Sequence, residues 1–241
     1  FTLSCLPVED FPATSEGDLG CKFQISASDL RQLIDKTRFA ISTEETRYYL
    51  NGIYLHAVTD GDIPALRAVA TDGHRLARVE VDLPDGSAGM PGVILPRKAI
   101  LEVRKLLEAA EGLVEVALSE TKVRIAVGSA VLTSKLIDGT FPDYQRVIPE
   151  GNSRIMKIDG SVFAEAVDRV STVSSDKSRA IKLSLHSGKL VLSANSPDQG
   201  SASEELPVAY DSDDLDIGFN SRYVLEMTEQ IKGDSMRFEM E

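Results

Sequence analysis

Phe23-Gln24-Ile25, leading into Ser28-Asp29-Leu30-Arg31-Gln32-Leu33-Ile34, decides the fold because its pattern occurs again further along the chain. The first three residues alternate as a half-buried strand does. The rest set Leu30, Leu33 and Ile34 on one helical face behind a Ser cap. Met156-Lys157-Ile158 leads likewise into Ser161-Val162-Phe163-Ala164-Glu165-Ala166-Val167. Each helix runs into a polar loop, Ser42-Thr43-Glu44-Glu45 and Ser174-Ser175-Asp176-Lys177. An alternating strand follows each loop, Tyr49-Asn51-Ile53-Leu55 and Ile181-Leu183-Leu185.

The match extends outward. Val93-Ile94-Leu95-Pro96-Arg97-Lys98-Ala99-Ile100-Leu101-Glu102 parallels Ile217-Gly218-Phe219-Asn220-Ser221-Arg222-Tyr223-Val224-Leu225-Glu226, and strand, helix, strand is the order in both. Within the first copy the order itself appears twice, as strand 21–26 with helix 28–38 and strand 91–95 with helix 97–109. The unit is a strand, one helix and several antiparallel strands, so an α+β assembly of duplicated modules is expected.

Turn chemistry divides the chain. A linker rich in Pro, Gly and acid (Pro7, Pro12, Glu16, Gly17, Asp18) precedes the first copy. A second break runs from Asp138-Gly139-Thr140-Phe141-Pro142-Asp143 through Pro149-Glu150-Gly151-Asn152, leaving pieces at about 21–137 and 154–241. Residues 1–6 alternate Phe1, Leu3, Cys5 like the end of a strand. The second copy reaches Arg237–Glu241 one strand after its second helix, without counterparts of strands 121–127 and 130–136. The expectation is a chain cut from a longer protein at both ends.

At 241 residues and 42% hydrophobic content, the chain suits one to two domains with ordinary cores. No apolar run approaches the ~18 residues of a membrane helix. Cys5 and Cys21 are too few for a disulfide framework or a zinc site, and read as thiols of a reducing cytoplasm. Lys+Arg number 26 against 38 Asp+Glu, a net charge of −12. Taken alone, that balance opposes binding through phosphate contacts. A nucleic-acid role would rest on a locally positive surface, or on something other than affinity.

Asp72-Gly73-His74 is the most enzyme-like constellation, since residues two apart share a strand face. Acid–base catalysis would need a nucleophile or metal close by, and neither His56 nor His186 offers a second ligand. The other reading is a turn in which Gly73 takes positive φ. No phosphate loop, metal-ligand spacing or nucleophile elbow is present. Asp211-Ser212-Asp213-Asp214 reads as a solvated turn.

Three segments carry a resemblance. Arg47-Tyr48-Tyr49-Leu50-Asn51-Gly52, Ala70-Thr71-Asp72-Gly73-His74-Arg75-Leu76 and Asp138-Gly139-Thr140-Phe141-Pro142-Asp143-Tyr144 resemble the middle-domain signatures of the bacterial DNA polymerase III beta subunit family, the sliding clamps. Order and spacing agree, and Pro96-Arg97-Lys98 stands between the second and third as expected. The resemblance implies a DNA-clamp fold, with residues 1–12 ending domain I, 20–145 forming all of domain II and 150–241 beginning domain III. It implies a ring of two three-domain subunits, with helices toward the DNA bore and sheets outside. Such a ring holds duplex DNA by topology and without sequence preference, so an acidic body is compatible with the role.

The function so implied is that of a non-catalytic processivity subunit of a DNA-directed DNA polymerase, cytoplasmic in bacteria, with no metal or cofactor. Its partners would be double-stranded DNA, the polymerase III catalytic subunit, the clamp loader, and other polymerases and repair proteins. The proteins would dock through short apolar peptides. The whole protein would form a ring homodimer and this chain a monomer. Residue by residue, the resemblance assigns a peptide groove to Leu50, Thr71, Gly73, His74, Arg75, Leu76, Pro142, Arg146 and Val147. Leu50, Leu76, Pro142 and Val147 would floor it and the two arginines would rim it. By spacing alone, Leu50 and Leu76 read instead as core residues of alternating strands. A further groove wall would come from the C-terminal strand of domain III. DNA-facing positions would be Arg47, Tyr48, Tyr49, Arg97, Lys98, Lys177, Arg179 and Arg222. Arg97, Lys98 and Arg222 start helices, where positive charge opposes the dipole; the alternative is solvated surface cations. Glu44 and Glu45, in the loop of Arg47, would repel phosphate.

Overall fold

The computed structural model describes residues 1–10, 19–59, 63–175 and 179–241, so Pro12, Glu16, Gly17, Asp18 and Lys177 lie outside the described residues. The chain divides into two units, Phe1–Phe141 and Pro142–Glu241.

In the first unit, β1 (Cys21–Ser26) passes directly into α1 (Ala27–Asp35). The cap is Ser26 rather than Ser28. Its backbone is still extended, and its Oγ accepts the Asp29 amide at 3.0 Å. Ser28 instead is the second residue of the helix, its hydroxyl 2.8 Å from that of Ser26. The helix stops at Asp35, short of the expected 38. Fully buried Thr37 turns its hydroxyl back onto the Leu33 carbonyl, and a 3-10 turn, Arg38–Ala40, follows.

Next come β2 (Gly52–Val58), β3 (Ala65–Thr71), β4 (Leu76–Asp82), β5 (Val93–Pro96), α2 (Arg97–Leu106), β6 (Leu113–Leu118), β7 (Lys122–Val127) and β8 (Ala130–Lys135). They form two antiparallel sheets, β1-β6-β7-β8 and β4-β3-β2-β5. Alternation puts Phe23 and Ile25, Ile53 and Leu55, and Ile125 on buried faces, where Leu30, Leu33, Ile100 and Val103 of the helices join them in one core. Each such Leu or Ile contributes roughly 1.5–3 kcal/mol by leaving water. The sheets thereby fix one side of each helix and leave the other to solvent. The strand expected from Tyr49 begins only at Gly52, because Tyr48–Leu50 is a 3-10 turn.

The second unit repeats the plan: β9 (Arg154–Ile158), α3 (Gly160–Ser171), β10 (Ala180–His186), β11 (Lys189–Ser196), β12 (Gly200–Pro207), β13 (Ala209–Tyr210), β14 (Leu215–Asn220), α4 (Ser221–Thr228) and β15 (Met236–Met240). Sheet order β12-β11-β10-β14 copies β4-β3-β2-β5. Asp159 caps α3 and Asn220 caps α4, each through its side-chain oxygen. Phe163, Val167, Leu183, Leu185, Leu190 and Leu192 fill a separate core.

Register fixes the equivalences. Gly52 faces Pro96 across β2–β5, as Ala180 faces Asn220 across β10–β14. The Asn51 carbonyl accepts the Arg97 amide at 3.0 Å, as the Arg179 carbonyl accepts that of Ser221 at 2.8 Å. The counterpart of Arg222 is therefore Lys98, and that of Arg97 is Ser221.

Residues 1–6 do not form the expected strand. No described strand pairs with them, and Phe1, Leu3 and Leu6 are exposed. Alternation yields a strand only where a partner accepts its backbone groups.

Candidate functional site

Thr71 and Leu76 are register partners at the end of β3–β4, so Asp72-Gly73-His74-Arg75 is the turn between them. Gly73 has φ +88. Asp72 Oδ1 accepts the amides of His74 (2.9 Å) and Arg75 (3.1 Å). Thr71 Oγ1 accepts the Gly73 amide at 3.1 Å and donates to the Arg75 carbonyl at 2.7 Å. Each short polar side chain thus satisfies a backbone group, which is why these residue types hold so tight a turn. Asp72 and His74 do not share a strand face. The second Asp72 oxygen accepts Arg75 Nε at 3.1 Å, so the carboxylate serves the turn.

Arg75 reaches further. Its Nη2 donates to the Phe39 carbonyl at 2.7 Å, and its guanidinium lies 5.2 Å from the centre of the Phe39 ring. The side chain is only 11% exposed, so Arg75 acts as a strut between the turn and the end of the α1 segment. His74 is exposed and Leu76 half-buried at the start of β4.

The first signature packs on the second. Arg47 grips Glu44 through two bonds, 2.8 and 2.6 Å, holding the Glu44 carboxyl below its usual range. That pairing offsets one of the two carboxylates expected to repel phosphate, together with the cation expected to attract it, and leaves Glu45 exposed. Leu50 is buried, and its carbonyl accepts the Ser42 amide. Tyr48 is exposed beside Tyr49, their rings edge-on at 5.8 Å.

The third signature closes over the first. Gly139 lies so close to the tyrosines that a Cβ there would stand 3.1 Å from Tyr49 Cβ. Phe141 stacks on Tyr54 at 4.9 Å, and Tyr54 stacks on His56 at 4.7 Å. Burial pushes the His56 imidazole below its usual pKa. Glu44, Phe39 and Gly139 belong to this arrangement but were not in the sequence-derived set. Glu44 carried a signal as a carboxylate in the loop of Arg47 and Gly139 as part of a turn, whereas Phe39 carried none.

Arg97 and Lys98 are exposed in the first turn of α2 and have no carboxylate partner among the described residues. Arg222, in the first turn of α4, is bound to Glu226 at 2.9 Å. Arg179 is exposed, with φ +44. In the second unit Pro142 is exposed, Val147 is 67% exposed, and Arg146 pairs with Asp143 at 2.8 Å. Leu50, Thr71, Gly73, His74, Arg75 and Leu76 all lie in the first unit, as do Arg47, Tyr48, Tyr49, Arg97 and Lys98.

Comparison with known proteins agrees with this geometry. The family profile for the DNA polymerase III beta subunit, central domain, matches residues 24–143, and that for its C-terminal domain matches 145–241. The chain is 51% identical over 238 residues to the beta sliding clamp of Caulobacter vibrioides and 44% identical over 238 to that of Pseudomonas aeruginosa. Each alignment covers 99% of this chain and 64% of the relative. The crystal structure of the sliding clamp from Bartonella birtlesii bound to griselimycin is similar at TM-score 0.96 and 57% identity, over all of this chain and 64% of that one. Caulobacter crescentus pol III beta gives 0.95 and 51%, over all of this chain and 65% of that one. The chain thus spans just under two thirds of the length of these relatives. It belongs to the DNA polymerase III beta subunit family.

Proposed function

We propose that this chain is part of a sliding clamp, a non-catalytic processivity factor that encircles duplex DNA and tethers replication and repair proteins by short apolar peptides. In this reading residues 1–12 end domain I, 20–145 are domain II and 150–241 begin domain III. Leu76, beside a turn locked by Asp72 and Arg75, offers an apolar wall for a Leu or Phe anchor, and Leu50 is an apolar neighbour in the same unit. His74, exposed in the same turn, presents its ring to the peptide. Arg97 and Lys98 face DNA, and the ring works in the bacterial cytoplasm. DNA is held by enclosure, so the net charge of −12 is no obstacle to sliding.

The observation that carries this reading is that the 47–52 signature meets both of the others, Arg47 lying against Gly73 of the hydrogen-bonded 71–76 turn and Tyr49 against Gly139. Preorganisation of this kind lowers the ordering cost of docking a peptide. Its test is fluorescence anisotropy of labelled Gln-Leu-Ser-Leu-Phe, titrated with this chain and with Leu76→Asp. Saturable binding lost in the variant supports the groove, and equal binding by both removes it.

A further inference from the structure

The two helix pairs repeat in fold but not in charge. α1 and α2 carry five cations against three carboxylates, whereas α3 and α4 carry two against three. Local pairing sharpens the contrast. On the first pair, Arg104 is held by Asp35 at 2.6 Å, Lys105 by Glu102 at 3.0 Å and half-buried Arg31 donates to the Glu108 carbonyl at 3.4 Å, which leaves the exposed Arg97 and Lys98 without a carboxylate among the described residues. On the second pair both cations are engaged. Arg169 binds Glu204 at 2.7 Å and Glu165 at 3.5 Å, and Arg222 binds Glu226 at 2.9 Å.

Resting on the clamp reading, we infer that the α1/α2 face alone takes the phosphate backbone of duplex DNA, and that the equivalent α3/α4 face makes no charge contact with it. Lys98 and Arg222 occupy equivalent positions, each with a glutamate four residues on; Glu102 is taken by Lys105, whereas Glu226 holds Arg222. A phosphate gains an interaction at Lys98 by displacing only water and counterions. At Arg222 it must displace a carboxylate that already holds Nε, exchanging one anion for another. With an acidic body around it, a small patch of free cations determines where a polyanion settles.

The test is an amide-shift titration of the isotope-labelled 241-residue chain with a short DNA duplex at low ionic strength. Shifts are expected along α2 from Arg97 to Leu101 and on adjoining α1, with none on α4. Arg97→Glu with Lys98→Glu should abolish them, and Lys98→Gln alone should weaken binding and lower its log–log salt slope by about 1, for the one lost phosphate contact. Arg222→Glu should change neither. Glu226→Gln, which frees Arg222, should bring new shifts to α4. Equal shifts on both pairs, or loss of binding in Arg222→Glu, would overturn the asymmetry while leaving the clamp reading to the peptide titration. Shifts confined to sheet faces, or no shifts at all, would overturn it as well. Undisturbed core amides in each variant report that the fold is intact.

Discussion

The Arg47 guanidinium occupies the space that a side chain on residue 73 would need: a Cβ built on Gly73 would stand 2.5 Å from Arg47 Nη1. Two demands for glycine coincide there, since φ is also +88. Arg47 is the far end of a flexible chain and can move aside, so the backbone conformation sets the cost. Gly73→Ala should lower the stability of the first unit by about 1–2 kcal/mol. Urea unfolding followed by a probe in that unit measures it.

Gly52→Ala should cost more. A Cβ at 52 would overlap the Leu95 carbonyl, which belongs to the β2–β5 ladder and cannot yield without breaking it. Overpacking against backbone costs typically 1–3 kcal/mol or above. The urea midpoint of this variant should fall below that of Gly73→Ala, and the reverse order would count against the packing described.

Arg75→Ala removes a donor from both Asp72 and the Phe39 carbonyl. A loss of about 1–3 kcal/mol follows from leaving these partly buried acceptors unmatched. Arg75→Lys keeps the charge but loses the planar fork, so it should recover only part of the loss. Peptide affinity should fall in the same order, because the turn loosens.

Stability should also depend on His56. Burial, aided by the charge of Arg67 and opposed by the Ala57 carbonyl and Glu80, lowers its folded pKa, so the unfolded chain takes up the proton first. Stability is therefore full above about pH 6.5 and declines as pH falls through the lowered folded value. Comparing urea midpoints of the parent and His56→Gln across pH 7 to 5 isolates this contribution, and the variant should show the shallower decline.

Much of the arrangement was legible because it is local. Leu30, Leu33 and Ile34, and Ile181, Leu183 and Leu185, announce their elements by period alone, and all six are buried. The Gly73 turn was readable from its residue types. The cap at Ser26 was misplaced by two residues because Ser26 and Ser28 are chemically alike, and only the extended backbone of Ser26 separates them. The bond from Arg75 to Phe39 spans 36 residues, and no local pattern encodes it. The same holds for the unequal surroundings of Lys98 and Arg222. Arg222 and Lys98 each have a glutamate four residues on, Glu226 and Glu102, and spacing alone does not say that Glu102 turns to Lys105 while Glu226 turns to Arg222.

The central claim is that the 71–76 turn is a wall of a peptide site, and amide-shift mapping of Gln-Leu-Ser-Leu-Phe on the labelled chain tests it most directly. The account predicts that the largest shifts cluster at Thr71 to Leu76 and at Leu50, and that they vanish in Leu76→Asp while the rest of the spectrum is kept. Shifts centred instead on β6–β8 or on the helix faces, with residues 71–76 unmoved, would contradict it.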